Sequence, residues 1–366
     1  MRWSFRLGRI IGIDVFMHAT FLLLLLWVGV SYYLPRRSLE DAWSGIVFIL
    51  TIFGIVVLHE LGHALTARRF GVRTRDITLL PIGGVARLER MPEDPRQEFL
   101  VALAGPAVNV ALALLIGTWM VTVTHSQLLG EISLVGGDFL QKLLWVNVGL
   151  AVFNMIPAFP MDGGRVLRAL LAMRMDYAQA THVAASVGQM LALGLGFLGL
   201  FTNPFLVFIA LFVWMGAAGE ASLVQMRSAL SGIPVSRAMV TDFQTLDGAA
   251  PLHTAVDHIL AGFQHDFPVL RAGVLVGVLV REDLMKALAK EGAGARVEEV
   301  MRSEYETADP ADMLEPAFMR LQSCACRSMP VVRGGRLLGI LTTDNVGEFL
   351  MFQAAMREAF GGSATT

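Results

Sequence analysis

His59, Glu60 and His63 are the residues whose types and spacing point most directly to chemistry. They form the pattern H-E-x-x-H within IFGIVVLHELGHALTA, residues 52–67. On a helix, positions 59 and 63 lie one turn apart on one face, so two imidazoles can grip one zinc ion. Glu60 sits roughly 100° around the helix from His59 and can reach a water beside that ion. The flanking residues are apolar enough to cross a membrane, where an uncompensated charge costs at least a few kcal/mol. The pattern predicts a zinc-dependent hydrolytic centre inside a bilayer.

Two histidines leave zinc short of ligands, because a catalytic site wants three protein ligands and an open position. Asp162 is the candidate third. It lies in NMIPAFPMDGG, residues 154–164, where two prolines and two glycines must break a helix. On the residues alone two readings stand: Asp162 ligates, or it caps the helix that follows. Asn154, which opens the break, either meets a substrate backbone or oxyanion or satisfies carbonyls freed by the break. Asn109, in the small-residue stretch AGPAVN, reads first as an interhelical hydrogen bond, with an oxyanion role as the alternative. His18, at the cytoplasmic mouth of the first span, reads first as an interfacial histidine, with a place facing the cleft as the alternative. His125, His182, His253, His258 and His265 have no second ligand at metal spacing and read as structural.

These side chains need a membrane scaffold to hold them. Of 366 residues, 55% are hydrophobic and 16% charged, well short of the quarter usual in soluble domains. The formal net charge of -2 gives no footing for nucleic-acid binding. Apolar runs at about 17–33, 44–67, 99–123, 139–153, 180–200 and 205–223 predict six spans. Residues 1–16 read as a short amphipathic strand or interfacial stretch. Residues 77–89, punctuated by Pro81, Gly83 and Gly84, read as an extended hairpin or re-entrant loop that lines the cleft. Arginines crowd the loop between spans two and three, and the N-terminus and the segment after span six are also basic. Both ends are therefore expected on the cytoplasmic side of the cell membrane.

Residues 231–366 read as ordinary soluble sequence and contain a duplication. Met239 and Met301, Pro268 and Pro330, Gly277 and Gly339, and Asp283 and Asn345 all share one offset of 62 residues. Each half reads as strand, helix, strand, turn, strand, helix. Cys324 and Cys326, the only two cysteines, are expected to be reduced thiols of a cytosolic domain.

HELGH, AGPAVN and NMIPAFPMDGG, in that order over residues 45–175, resemble the site-2 protease family of intramembrane zinc metalloproteases. The resemblance implies that His59, His63 and Asp162 bind one zinc ion and that Glu60 is the catalytic base. LLPIGGVARLE, around Gly84, is similar to that family's glycine-rich element. The duplicated tail resembles tandem CBS domains, with copies at about 233–290 and 295–352 and a short tail over 353–366. CBS modules often hold adenosine phosphates, with an acid following a small hydroxyl residue. Asp283 has the acid without the hydroxyl, and Thr342 has the hydroxyl without the acid, so adenine nucleotide is a candidate second ligand.

The expectation is a polytopic α-helical membrane protein, 1–230, with a cytoplasmic α/β tandem CBS domain, 231–352. It would cleave transmembrane protein substrates under CBS control, in contact with membrane lipid, with a homodimer formed through the CBS domains. The alternative reading is a CBS-regulated transporter or channel in which HELGH and Asp162 line an ion path.

Overall fold

The structure, a computed structural model, describes residues 3–81, 83–88, 94–123, 139–324 and 327–361. The expected connection at 124–138 with His125, Cys326 and the last residues of the tail lie outside the described residues. The chain divides into two compact units, Met1–Val224 and Gln225–Thr366.

The first unit opens with strands β1 (Ser4–Ile10) and β2 (Ile13–His18), followed by helix α1 (Thr20–Arg36) and the long helix α2 (Leu39–Arg69). Ser38 starts α2: its hydroxyl accepts from the Asp41 amide at 3.2 Å, and Glu40 and Asp41 complement the helix dipole. Strands β3 (Thr74–Leu80) and β4 (Gly83–Leu88) follow, then helix α3 (Pro95–Thr122). Asp94 caps α3, with Pro95 in its first turn. Helices α4 (Phe139–Asn154), α5 (Asp162–Ala172), α6 (Tyr177–Phe201) and α7 (Phe205–Leu230) complete the series.

The first four strands form one sheet in the order β1-β2-β3-β4. The expected hairpin at 77–89 is present as β3 and β4, and the N-terminal stretch is a second hairpin. The two hairpins join through parallel pairing of Asp14–Met17 with Ile77 and its neighbours, from Asp76 to Leu79. His18 ends β2, and the first helix starts three residues later than the apolar run suggested. Ile13, Val15, Phe21, Phe53, Val57, Leu61, Ile77 and Leu79 form the core between this sheet and α2.

Four helices, α2, α3, α6 and α7, are long and apolar enough to cross a membrane, and α1 and α4 are shorter apolar helices. Leu114, Leu115, Phe197, Leu200 and Phe208 are each about two-thirds exposed. Large apolar side chains in such number on an outer surface need lipid rather than water around them.

The second unit contains strand β5 (Leu246–Asp247), α8 (Leu252–Ala261), β6 (Phe267–Arg271), β7 (Val274–Leu279), α9 (Arg281–Lys290) and the short α10 (Val297–Val300). Then come α11 (Leu314–Ser323), β8 (Ser328–Arg333), β9 (Arg336–Thr342) and α12 (Thr343–Gly361). The 62-residue repeat is visible in the pairing. Val240 bridges Ile340, and Arg302, the repeat of Val240, bridges Val278, the repeat of Ile340. Gly277 and Gly339 make this crossing possible: a Cβ at either would strike Met301 and Arg302, or Met239 and Val240. Cys324 follows α11 and is half-buried.

Candidate metal centre

His59 and His63 are buried on one face of α2, and Asp162, also buried, opens α5. The helix break preceding Asp162 packs tightly: a Cβ on Gly163 or Gly164 would collide with the backbone of Met155 and Ile156, or of Ala158 and Phe159. That packing aims the carboxylate at the histidines. Asp162 Oδ2 lies 3.2 Å from each Nε2 atom, and the two Nε2 atoms are 3.1 Å apart.

The far side of each imidazole fixes its tautomer. His63 Nδ1–H donates to the Val101 carbonyl at 2.7 Å. His59 Nδ1–H donates to Asn109 Oδ1 at 2.5 Å. The Asn109 amide donates to Asn147 Oδ1, and the Asn147 amide donates to the Leu143 carbonyl, so the orientation of Asn109 is set by a buried chain. With both Nδ1 atoms protonated, both Nε2 atoms present lone pairs. Two lone pairs and a carboxylate at contact distance repel one another unless a cation sits among them.

The three donor atoms fit zinc. A tetrahedral ion with ligand bonds of about 2.0–2.1 Å has ligand–ligand edges of about 3.3 Å, close to the 3.1–3.2 Å found here. Space for an ion is kept by Gly105 of α3, where a Cβ would clash with the Nε2 atoms of both histidines. Gly62 of α2 packs against the Ala104 carbonyl and brings the two helices together.

Glu60 is half-buried beside this cluster. Its Oε2 accepts from the Ala86 amide of β4 at 3.3 Å, and Gly84 packs against its side chain. A single amide leaves most of the carboxylate's accepting capacity open, as a proton acceptor requires.

The remaining sequence candidates divide. Asn109 is the positioning partner of His59; its oxygen and amide are both engaged. Asn154 is the last residue of α4, half-buried at the start of the break. Asn147 was not singled out by sequence; a polar residue within an apolar run is the signal that would have found it. Asp283 accepts from Arg302 Nε at 2.5 Å, and Arg302 lines a cavity of about 800 Å³ with Val280, Tyr305 and Thr307. The Asp283 carboxylate raises the pKa of Arg302 through that hydrogen bond. Thr342 Oγ1 accepts from the Asn345 amide and caps α12.

An H-E-x-x-H helix whose buried histidines meet a carboxylate, inside a helical core with an apolar outer surface, describes a membrane metallopeptidase. The chain belongs to Peptidase family M50, the site-2 proteases, whose profile matches residues 47–137 and 120–195. The CBS domain profile matches residues 235–290 and 297–351. A zinc metalloprotease of Methanocaldococcus jannaschii is 34% identical over 94% of this chain and 96% of its own. Stage IV sporulation protein FB of Bacillus subtilis is 30% identical over 43% of this chain and 51% of its own. A solved site-2 protease from Methanocaldococcus jannaschii is 37% identical, covers 60% of this chain and 95% of its own, and superposes with a TM-score of 0.44. The protein is thus a zinc metalloprotease of the site-2 type carrying two CBS domains. The transporter or channel alternative gains no support from these relatives.

Proposed function

We propose that His59, His63 and Asp162 hold the zinc ion and that Glu60 is the base of a peptide hydrolysis carried out within the membrane. The observation that carries this reading is the triangle of Nε2, Nε2 and Oδ2 atoms at 3.1–3.2 Å. When bound there, zinc supplies Lewis acidity toward a water and a peptide carbonyl. Glu60 takes a proton from the water and delivers it to the leaving amine. Asn109 and Val101 hold the imidazoles so that their lone pairs stay aimed inward. Asn154 hydrogen-bonds the substrate backbone or the developing oxyanion.

The substrate is a transmembrane segment, which must unwind because a helix hides its carbonyls. β4 is an edge strand of its sheet and lies beside Glu60, so an unwound segment can add to it as a fifth strand. All six apolar helices span the cell membrane, with both termini cytoplasmic, as the arginine distribution supports. The domain plan is a membrane core over 1–230 and a regulatory CBS pair over 231–352, which gates cleavage and joins two copies of the chain. An adenine nucleotide occupies the cavity lined by Arg302, where Asp283 exchanges Arg302 for ribose hydroxyls.

Purified protein mixed with a model transmembrane substrate tests the central reading. Cleavage that is lost with a zinc chelator and restored by zinc supports it. Cleavage indifferent to the chelator refutes it. Calorimetric titration of AMP into wild type and Asp283→Asn tests the second ligand: binding weakened by the substitution supports it, and equal binding refutes the role of Asp283.

A further inference from the structure

Outside the metal centre, the most unusual group in the membrane unit is Arg168, on α5. Its side chain is 1% exposed, in a unit whose outer surface is apolar. Arg168 Nε–H donates to Glu98 Oε1 at 2.8 Å, Nη2 donates to the same oxygen at 2.5 Å, and Nη1 donates to Glu220 Oε1 at 2.6 Å. The guanidinium also lies 5.0 Å from the ring centres of Phe159 and of Tyr177. One cation therefore joins α3, α5, α6, α7 and the segment just ahead of Asp162.

We propose that the Arg168–Glu98 pair is a positioning device for the metal centre: it locks the helix that carries Asp162 to the helix that orients both histidines. This rests on Asp162 being a ligand. Glu98 stands in the first turn of α3, three residues before Val101, whose carbonyl holds His63. The same helix supplies Gly105 against the imidazoles and Asn109 to His59. Arg168 is six residues from Asp162, about 9 Å along α5.

The end of α5 that bears Asp162 has no side-chain cap of its own, so packing alone sets its position. Arg168 restrains the helix from its other half and, through Phe159, presses on the break that precedes it. Stability alone is a poor reason for the pair, because an apolar replacement of a buried ion pair is often neutral or stabilising. A forked guanidinium instead fixes distance and direction at once, as two ligands on separate helices require.

The test compares purified full-length wild type with Arg168→Met/Glu98→Leu, Arg168→Lys and Asp162→Ala. Each is measured for zinc affinity by chelator competition, for the visible spectrum of its Co²⁺ form, and for thermal unfolding without metal. The apolar double variant also leaves Glu220 without its partner, so it is expected to unfold somewhat below the wild-type temperature, with zinc affinity about 10–100-fold lower and altered Co²⁺ bands. Arg168→Lys, which keeps the charge but loses the fork, is expected to fall between. A folded double variant with wild-type affinity and spectrum overturns the proposal. Should the double variant fail to fold, Arg168→Lys decides: weaker zinc binding supports the proposal, and unchanged binding overturns it. Unchanged affinity in Asp162→Ala instead removes the ligand reading beneath it.

Discussion

Asp162 and Arg168 lie six residues apart on α5, and the polar clusters around them are compensated in opposite ways. Around Arg168, one cation meets two carboxylates and two aromatic faces, and its Nε, Nη1 and Nη2 each donate to a carboxylate oxygen. Around Asp162, two imidazole lone pairs and a carboxylate converge with no positive group between them. The first cluster balances its charges with its own side chains, although Glu98 Oε2 is left without a hydrogen-bond partner among the described residues, and it holds helices together. The second offers three donors to a cation, as the proposed zinc centre requires. Buried polarity in a membrane protein therefore has to be read by what it lacks, not by its mere presence.

The largest expected effects come from removing one of the proposed zinc donors. His59→Ala and His63→Ala should each lose stoichiometric zinc, read by metal analysis, and drop cleavage to background. Next comes breaking the Arg168 cluster on one side. Arg168→Met alone leaves Glu98 buried without its partner, which should cost about 3–5 kcal/mol in denaturant unfolding. Asn109→Leu removes the acceptor that holds the His59 tautomer and should weaken zinc binding about 10–100-fold with the fold retained. The smallest effect is expected at Gln or Met exchanges of lipid-facing Leu114 or Leu115, which touch neither cluster. Zinc affinity should stay at the wild-type value there, and a change would mean that the centre is less insulated than the two clusters imply.

How far the chain reveals this arrangement depends on how local each feature is. The histidine pair is legible because ligands one helical turn apart need only a helix. The hairpin over 77–89 is legible from Pro81, Gly83 and Gly84. The repeat is legible because one offset of 62 residues runs through it without a gap. The parallel seam between β2 and β3 is not legible, since two helices separate the strands. Helix α1 began later than its apolar run because Met17 and His18 are taken by β2, and caps at Ser38, Asp94 and Asp176 extend other helices beyond their apolar stretches.

For Asp162 the residues alone left ligation and capping equally open. The structure puts its Oδ2 beside both Nε2 atoms and leaves α5 with no side-chain cap. The Arg168 cluster was missed altogether: Glu98 and Arg168 are 70 residues apart, and only their charge within apolar surroundings could have drawn attention to them.

Glu60→Gln provides the most direct test of the central claim. It leaves the three proposed ligands in place while removing the proton acceptor. Zinc content and cleavage of a transmembrane substrate are measured on the same purified sample. The account predicts one zinc per chain, as in wild type, with cleavage reduced at least ~10²-fold. A zinc-loaded Glu60→Gln protein that cleaves at the wild-type rate would contradict it.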